Sequence, residues 1–156
     1  MSNENPLVYS LILPLVSTRM ILPQSVITEI IQRPEVTEIP GSASWLKGVF
    51  RWRTEQVPLL SFEEMTGAEE NRQQRHEGRV VVVYALEEIT GLVFYAFELQ
   101  GIPHPVQLTR ETVMEDATRQ NETPVVGARV LINSQEAVIP DMSAVEHMIR
   151  VQLERI

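Results

Sequence analysis

The chain has 156 residues with a formal net charge of -8, and at 44% hydrophobic and 22% charged it holds enough apolar material for one packed domain. The acidic excess, 21 Asp+Glu against 13 Lys+Arg, argues against a nucleic-acid partner, and the absence of cysteine excludes disulfides, thiolate metal sites and thiol nucleophiles. No apolar run approaches the ~20 residues that span a bilayer, and MSNENPLVYS lacks the basic and apolar regions of a signal peptide, so a cytoplasmic location without membrane insertion is expected.

In chain order, Leu7 to Leu13 and Arg19 to Leu22 alternate as paired strands joined through Pro14 to Thr18. Pro23 breaks the second strand. A helical turn at QSV gives way to an extended run, because Val26, Ile27, Thr28, Ile30 and Ile31 are β-branched. Pro40 and Gly41 punctuate a turn, with Ser42 or Ser44 as a cap for one helical turn carrying Trp45 and Leu46. Gly48 to Trp52 and Gln56 to Ser61 read as strands turning at Thr54-Glu55.

Thr66 to Gly78 has almost nothing to bury and reads as a surface loop between two halves. Arg79 to Leu86 and Gly91 to Leu99 are continuous apolar runs, expected as strands covered on both faces. IPHPV, residues 102 to 106, is expected to stay out of a sheet because its two prolines remove ladder donors. Thr109 to Pro124 is polar and unassigned. Val125 to Ile132 and Ala137 to Ile139 form a hairpin whose turn, Asn133 to Glu136, lacks a strong primed-turn pair. The tail is a helix: Ser143 with Glu146 resembles a capping box, and Val145, Met148, Ile149, Leu153 and Ile156 form one stripe. Many short strands and one terminal helix make the chain mainly β, a barrel or sandwich.

Residues that carry chemistry are sparse. His76, His104 and His147 lack a second ligand at metal spacing, so no metal and no catalytic residue is assigned, and no cofactor is expected. Glu63-Glu64 and Glu69-Glu70 are adjacent in sequence and do not share a face, which makes them solvated charge rather than an acid and base pair.

The stretch WLKGVFRWRTEQVPLL, residues 45 to 60, concentrates both tryptophans, the single lysine, Arg51 and Arg53. Alternation puts Val49, Arg51 and Arg53 on one face and Phe50 and Trp52 on the other, leaving open which face meets the core. Arg53 either braces the turn through a carboxylate such as Glu55 or is offered to a partner.

Taken in order, Ile27-Thr28-Glu29-Ile30, Glu38-Ile39-Pro40, Trp45 to Val49, Arg53 and Val57-Pro58-Leu59 resemble the signature of CheW-like chemotaxis coupling proteins. The resemblance continues loosely through Arg79 to Tyr84, Gly91-Leu92-Val93, Val126-Gly127 and Val138 to Asp141. Thr54 stands where the pattern has glycine, Ser61-Phe62 where it has D-L, and Phe94-Tyr95 where many members have V-D. Threonine disfavours positive φ, so a different geometry is expected at residues 53 to 55.

The resemblance implies one CheW-like domain over 1–156, built as two packed five-stranded β-barrels, about 7–65 and 79–141, with a polar loop at 66–78 and a helix at 142–155. It implies a non-enzymatic adaptor in chemosensory arrays, including those of pilus-driven twitching motility. The implied partners are the regulatory domain of a CheA-type histidine kinase and the cytoplasmic tip of methyl-accepting chemoreceptors. Ile27, Glu29, Ile30, Gly48, Arg51 and Arg53 are the implied partner-binding residues.

Overall fold

A computed structural model describes residues 8–68, 78–89, 91–109, 113–115 and 123–155. The first two expected strands form as β1 (Val8–Pro14) and β2 (Arg19–Pro23), an antiparallel pair. One 3-10 turn at Gln24–Val26 leads into β3 (Ile27–Gln32). Trp45 lies in a non-helical turn before β4 (Leu46–Trp52), so the capped helical turn expected there is absent. β4 pairs with β5 (Glu55–Leu60), and the turn is Arg53-Thr54, one position earlier than expected. A one-turn helix α1 (Phe62–Met65) follows, capped by Ser61, whose Oγ accepts from the Glu64 N–H at 3.3 Å.

Most of the expected 66–78 loop falls outside the described residues. Beyond it, β6 (Arg79–Ile89) and β7 (Leu92–Leu99) pair antiparallel. The expectation for residues 102 to 106 is corrected, since Pro105 lies inside β8 (His104–Leu108). Proline is tolerated because β8 is an edge strand that, among the described residues, pairs with β1 alone. β9 (Val113–Glu115) arises in the stretch left unassigned, and β10 (Val126–Ile132) and β11 (Gln135–Pro140) form the expected hairpin. Its turn has the left-handed backbone of a primed turn, with φ 50 at Asn133 and 66 at Ser134. Helix α2 (Met142–Glu154) is capped by Asp141, which accepts from Ala144 N–H at 3.1 Å, and not by Ser143.

The strands make a six-stranded sheet, β8-β1-β2-β11-β10-β9, and a five-stranded sheet, β3-β6-β7-β5-β4. Strands on either side of segment 66–78 contribute to both sheets. Side-chain alternation divides their apolar residues among three clusters. On β6, Val81 and Val83 join the largest cluster with Tyr95, Phe97 and Leu99 of β7 and Met20 and Leu22 of β2. Val80 and Val82 turn the other way, to Phe50, Val57, Leu59 and Ala96. Ile21, Val130, Ile132 and Ala137 form the third cluster, on the six-stranded sheet. A strand serving two clusters needs apolar residues at consecutive positions, which accounts for the uninterrupted valines of β6.

Candidate functional site

The two outer strands of the five-stranded sheet, β3 and β4, approach each other. Thr37, in the segment after β3, exchanges two 2.9 Å backbone hydrogen bonds with Val49 of β4. Gly48 makes this crossing possible: it is buried at a β-bulge with φ +140, and a Cβ there would lie 2.6 Å from Val36 Cγ1 and 2.8 Å from the Thr37 carbonyl carbon. Of the implied partner-binding residues, Gly48 is thus covered by the chain itself. Ile27 and Ile30 are half-buried and pack against the largest cluster, whereas Glu29, Arg51 and Arg53 are exposed.

Alternation along β4 resolves which face meets the core. Phe50 and Trp52 point into the cluster shared with Val57 and Leu59, so Arg51 is directed outward. Among the described residues Arg51 has no ion pair. Arg53 and Thr54 both adopt positive φ, 47 and 64, so threonine takes the left-handed conformation it was expected to avoid. A two-residue antiparallel hairpin demands that twist, and here the demand outweighs the residue's preference.

The turn aims Arg53 back across the end of the sheet. Its Cζ lies 4.3 Å from the Trp52 ring centroid, within cation-π range, and Nη2 is 3.6 Å from Glu29 Oε2 on β3. The carboxylate facing Arg53 is therefore Glu29, not Glu55. Both side chains remain open to solvent, 62% for Arg53 and 46% for Glu29, so their attraction adds at most about 1 kcal/mol to stability. Behind Arg53 the rings continue: Trp52 meets Phe94 edge-on at 5.0 Å, and Phe94 meets Tyr84 at 5.6 Å. Lys47 differs from its basic neighbours, because it pairs with Glu64 of α1 and is mostly buried.

Sequence reasoning missed Phe94 and Tyr84 as members of this strip. Tyr84 continues the Val80-Val82 face of β6, so period-two counting carries the signal, but only the pairing of Tyr84 with Phe94 brings the rings together. Also missed was Glu146, which is fully buried and accepts from Tyr95 Oη at 2.8 Å and from the Leu86 and Glu87 N–H groups at 3.0 Å each. Burial, with the Glu146 carboxylate beside it, pushes the Tyr95 phenol well above its ordinary pKa, so it stays protonated and donates.

Among the described residues no group of three or more His, Asp or Glu side chains is arranged to hold a metal. One cleft of about 190 Å³ lies between the β1-β2 turn, α1 and the β10-β11 hairpin, below the range usual for small-molecule sites. Its Glu63 is already engaged by the N–H groups of Val16 and Ser17 and by the Ser17 hydroxyl. The profile of the CheW-like domain matches residues 10–150.

The chain belongs to the CheW-like domain family. Over 86 residues it is 31% identical to Protein PilI of Pseudomonas aeruginosa, an alignment covering 54% of this chain and 46% of that relative. Its fold matches the crystal structure of the scaffolding protein TtCheW from Thermoanaerobacter tengcongensis with a TM-score of 0.71 at 12% identity, covering 90% of this chain and 88% of that one. In this CheW-like chain Ser61, one departure from the family pattern, caps α1 as an aspartate would. Tyr95, another, is a core residue with a hydrogen-bonded hydroxyl. No helix among the described residues is long and apolar enough to cross a membrane.

Proposed function

We propose that this chain is a non-enzymatic adaptor that couples chemoreceptors to a CheA-type histidine kinase. Its partners are the kinase regulatory domain and the cytoplasmic receptor tip, and it works in the cytoplasm, recruited to receptor arrays. Similarity to PilI favours an array serving pilus-driven motility. The observation that carries the reading is the exposed Glu29 and Arg53 pair, with Arg53 over the half-buried Trp52, on a CheW-like fold. A solvent-accessible arginine held over an indole at the seam of two edge strands combines two of the residue types most enriched in interface hot spots. Arg51 extends the surface, while Ile27, Ile30 and Gly48 are its frame. Such an adaptor transmits signal only as far as its contacts differ between kinase-on and kinase-off arrays.

The test is calorimetric titration of the wild type and Arg53→Ala against an isolated kinase regulatory domain and a receptor-tip peptide. Arg53→Ala is expected to weaken binding by ~2 kcal/mol, about thirtyfold, while Tm moves by no more than about 4 °C. Failure of the wild type to bind either probe at tens of micromolar, a scale set by affinity arithmetic, sinks the proposal. A large fall in Tm with binding intact assigns Arg53 to the fold.

A further inference from the structure

The irregular end of β6 is held by helix α2. From Tyr84 to Ile89 the strand advances five residues while β7 advances only two, from Phe94 back to Leu92. In a regular strand successive N–H groups point to opposite edges. Here the N–H groups of Leu86 and Glu87 both reach the carboxylate of Glu146, a pairing that a regular strand, with only one of the two facing any one neighbour, would not allow. The Tyr95 hydroxyl is a third donor to the same carboxylate, and Arg150, one turn further along α2, pairs with Glu87 at 2.8 Å. The segment so anchored carries two large apolar side chains that are half in solvent, Tyr84 at 46% and Leu86 at 54%. Through Phe94 and Trp52, Tyr84 is continuous with Arg53.

We infer that Glu146 is a positioning residue of the partner surface: through the bulge at Leu86 and Glu87 it fixes how Tyr84 and Leu86 are presented beside the Trp52 and Arg53 group. The occupant is a protein segment with an apolar ridge and a flanking carboxylate. The ridge covers Tyr84 and Leu86, and the carboxylate meets Arg53, an exposed cation on a chain whose net charge is -8. Helix α2 is thereby coupled to the docking surface without touching the partner. This inference rests on the adaptor reading.

The probe is the isolated regulatory domain of a CheA-type kinase, with binding measured alongside amide hydrogen exchange. Glu146→Gln leaves one of the two N–H groups facing an amide NH2, and it is expected to speed exchange at Leu86 and Glu87 and to weaken binding at least tenfold. Ile149→Val, on the same helix but directed into the large cluster, is expected to lower Tm while binding stays within twofold. Wild-type affinity in Glu146→Gln, unchanged exchange at those two amides, or an equal loss of binding in Ile149→Val each overturns the inference. Should Glu146→Gln fail to fold, the paired change Tyr84→Ser and Leu86→Ser decides: a tenfold loss of binding at wild-type Tm supports the inference, and wild-type binding overturns it. If the wild type does not bind the probe, the adaptor reading fails first, and the exchange measurement still decides whether Glu146 shapes the bulge.

Discussion

Replacing Gly48 by alanine measures how much of the β3-β4 seam depends on one missing side chain. Two costs combine. At φ +140 an L-residue occupies backbone space used almost only by glycine, a strain of about 1–3 kcal/mol. The added methyl would also fall on the Thr37 carbonyl oxygen and within 2.6 Å of Val36 Cγ1, so the segment after β3 must move away from β4. That movement threatens both 2.9 Å hydrogen bonds between Thr37 and Val49, about 1 kcal/mol each. Together the expected loss is roughly 3–5 kcal/mol, a large part of an ordinary domain's stability, and a fall in Tm of about 8–15 °C. Gly41→Ala is the control: its φ is +78, but nothing lies within 4 Å of the new methyl, so only the strain of about 1–2 kcal/mol is expected. Urea titrations of both variants read the difference directly. Equal destabilisation by the two would refute the steric argument. A Gly48→Ala protein within about 1 kcal/mol of wild type would show that the β3-β4 seam is not closed as described. Loss of partner binding in this variant is expected to reflect the moved seam, since Gly48 itself is buried.

Tyr95→Phe removes a donor from the buried Glu146 carboxylate and should cost about 1.5–3 kcal/mol near neutral pH. The Tyr95 phenol pKa is raised in the folded state, so its stabilisation is complete below the unfolded value near 10 and declines as pH rises past it, by about 1.4 kcal/mol per pH unit. The gap between wild type and Tyr95→Phe should therefore narrow from pH ~10 to ~12 in urea unfolding, and a constant gap would show that Tyr95 ionises as freely folded as unfolded. Thr54→Gly should raise stability by about 1 kcal/mol, or Tm by 2–4 °C, by relieving the left-handed threonine at φ 64. An unchanged or lower Tm would mean that the turn holds Thr54 without strain.

Strand identity was legible in the sequence wherever period-two alternation or a continuous apolar run was long enough, as at β1, β2, β6, β7 and the β10-β11 hairpin. What failed was local chemistry that depends on position within the sheet. Two prolines remove ladder donors from residues 102 to 106, but whether that loss matters depends on the strand's place in the sheet, and β8 lies at its edge. Ser143 with Glu146 looked like a capping box, yet Asp141 caps the helix and Glu146 is turned inward to the β6 bulge. A bulge of that kind leaves no periodic trace, so its need for a buried carboxylate was invisible. The site was half legible: Glu29 and Arg53 were singled out separately, but their meeting requires two outer strands of a rolled sheet to come together.

The two hairpin turns of this chain argue for what Arg53 is there to do. Both use two residues with positive φ, Asn133 and Ser134 at 50 and 66, Arg53 and Thr54 at 47 and 64. The backbone is nearly the same, so the residue preferences of the turn are the same. Asparagine tolerates the left-handed region, whereas threonine is poorly suited to it and arginine gains nothing there. Folding alone would favour a pair such as Asn-Gly at both turns. At the β10-β11 turn the sequence comes closer to that preference, and at the β4-β5 turn it departs from it at the position where a guanidinium lies over Trp52 and faces Glu29. The exposed ion pair returns too little stability to explain the departure. Residues poorly matched to a left-handed turn, placed under an exposed cation and an aromatic ring, coincide with the contact surface proposed above, and they support that proposal on grounds separate from the family resemblance.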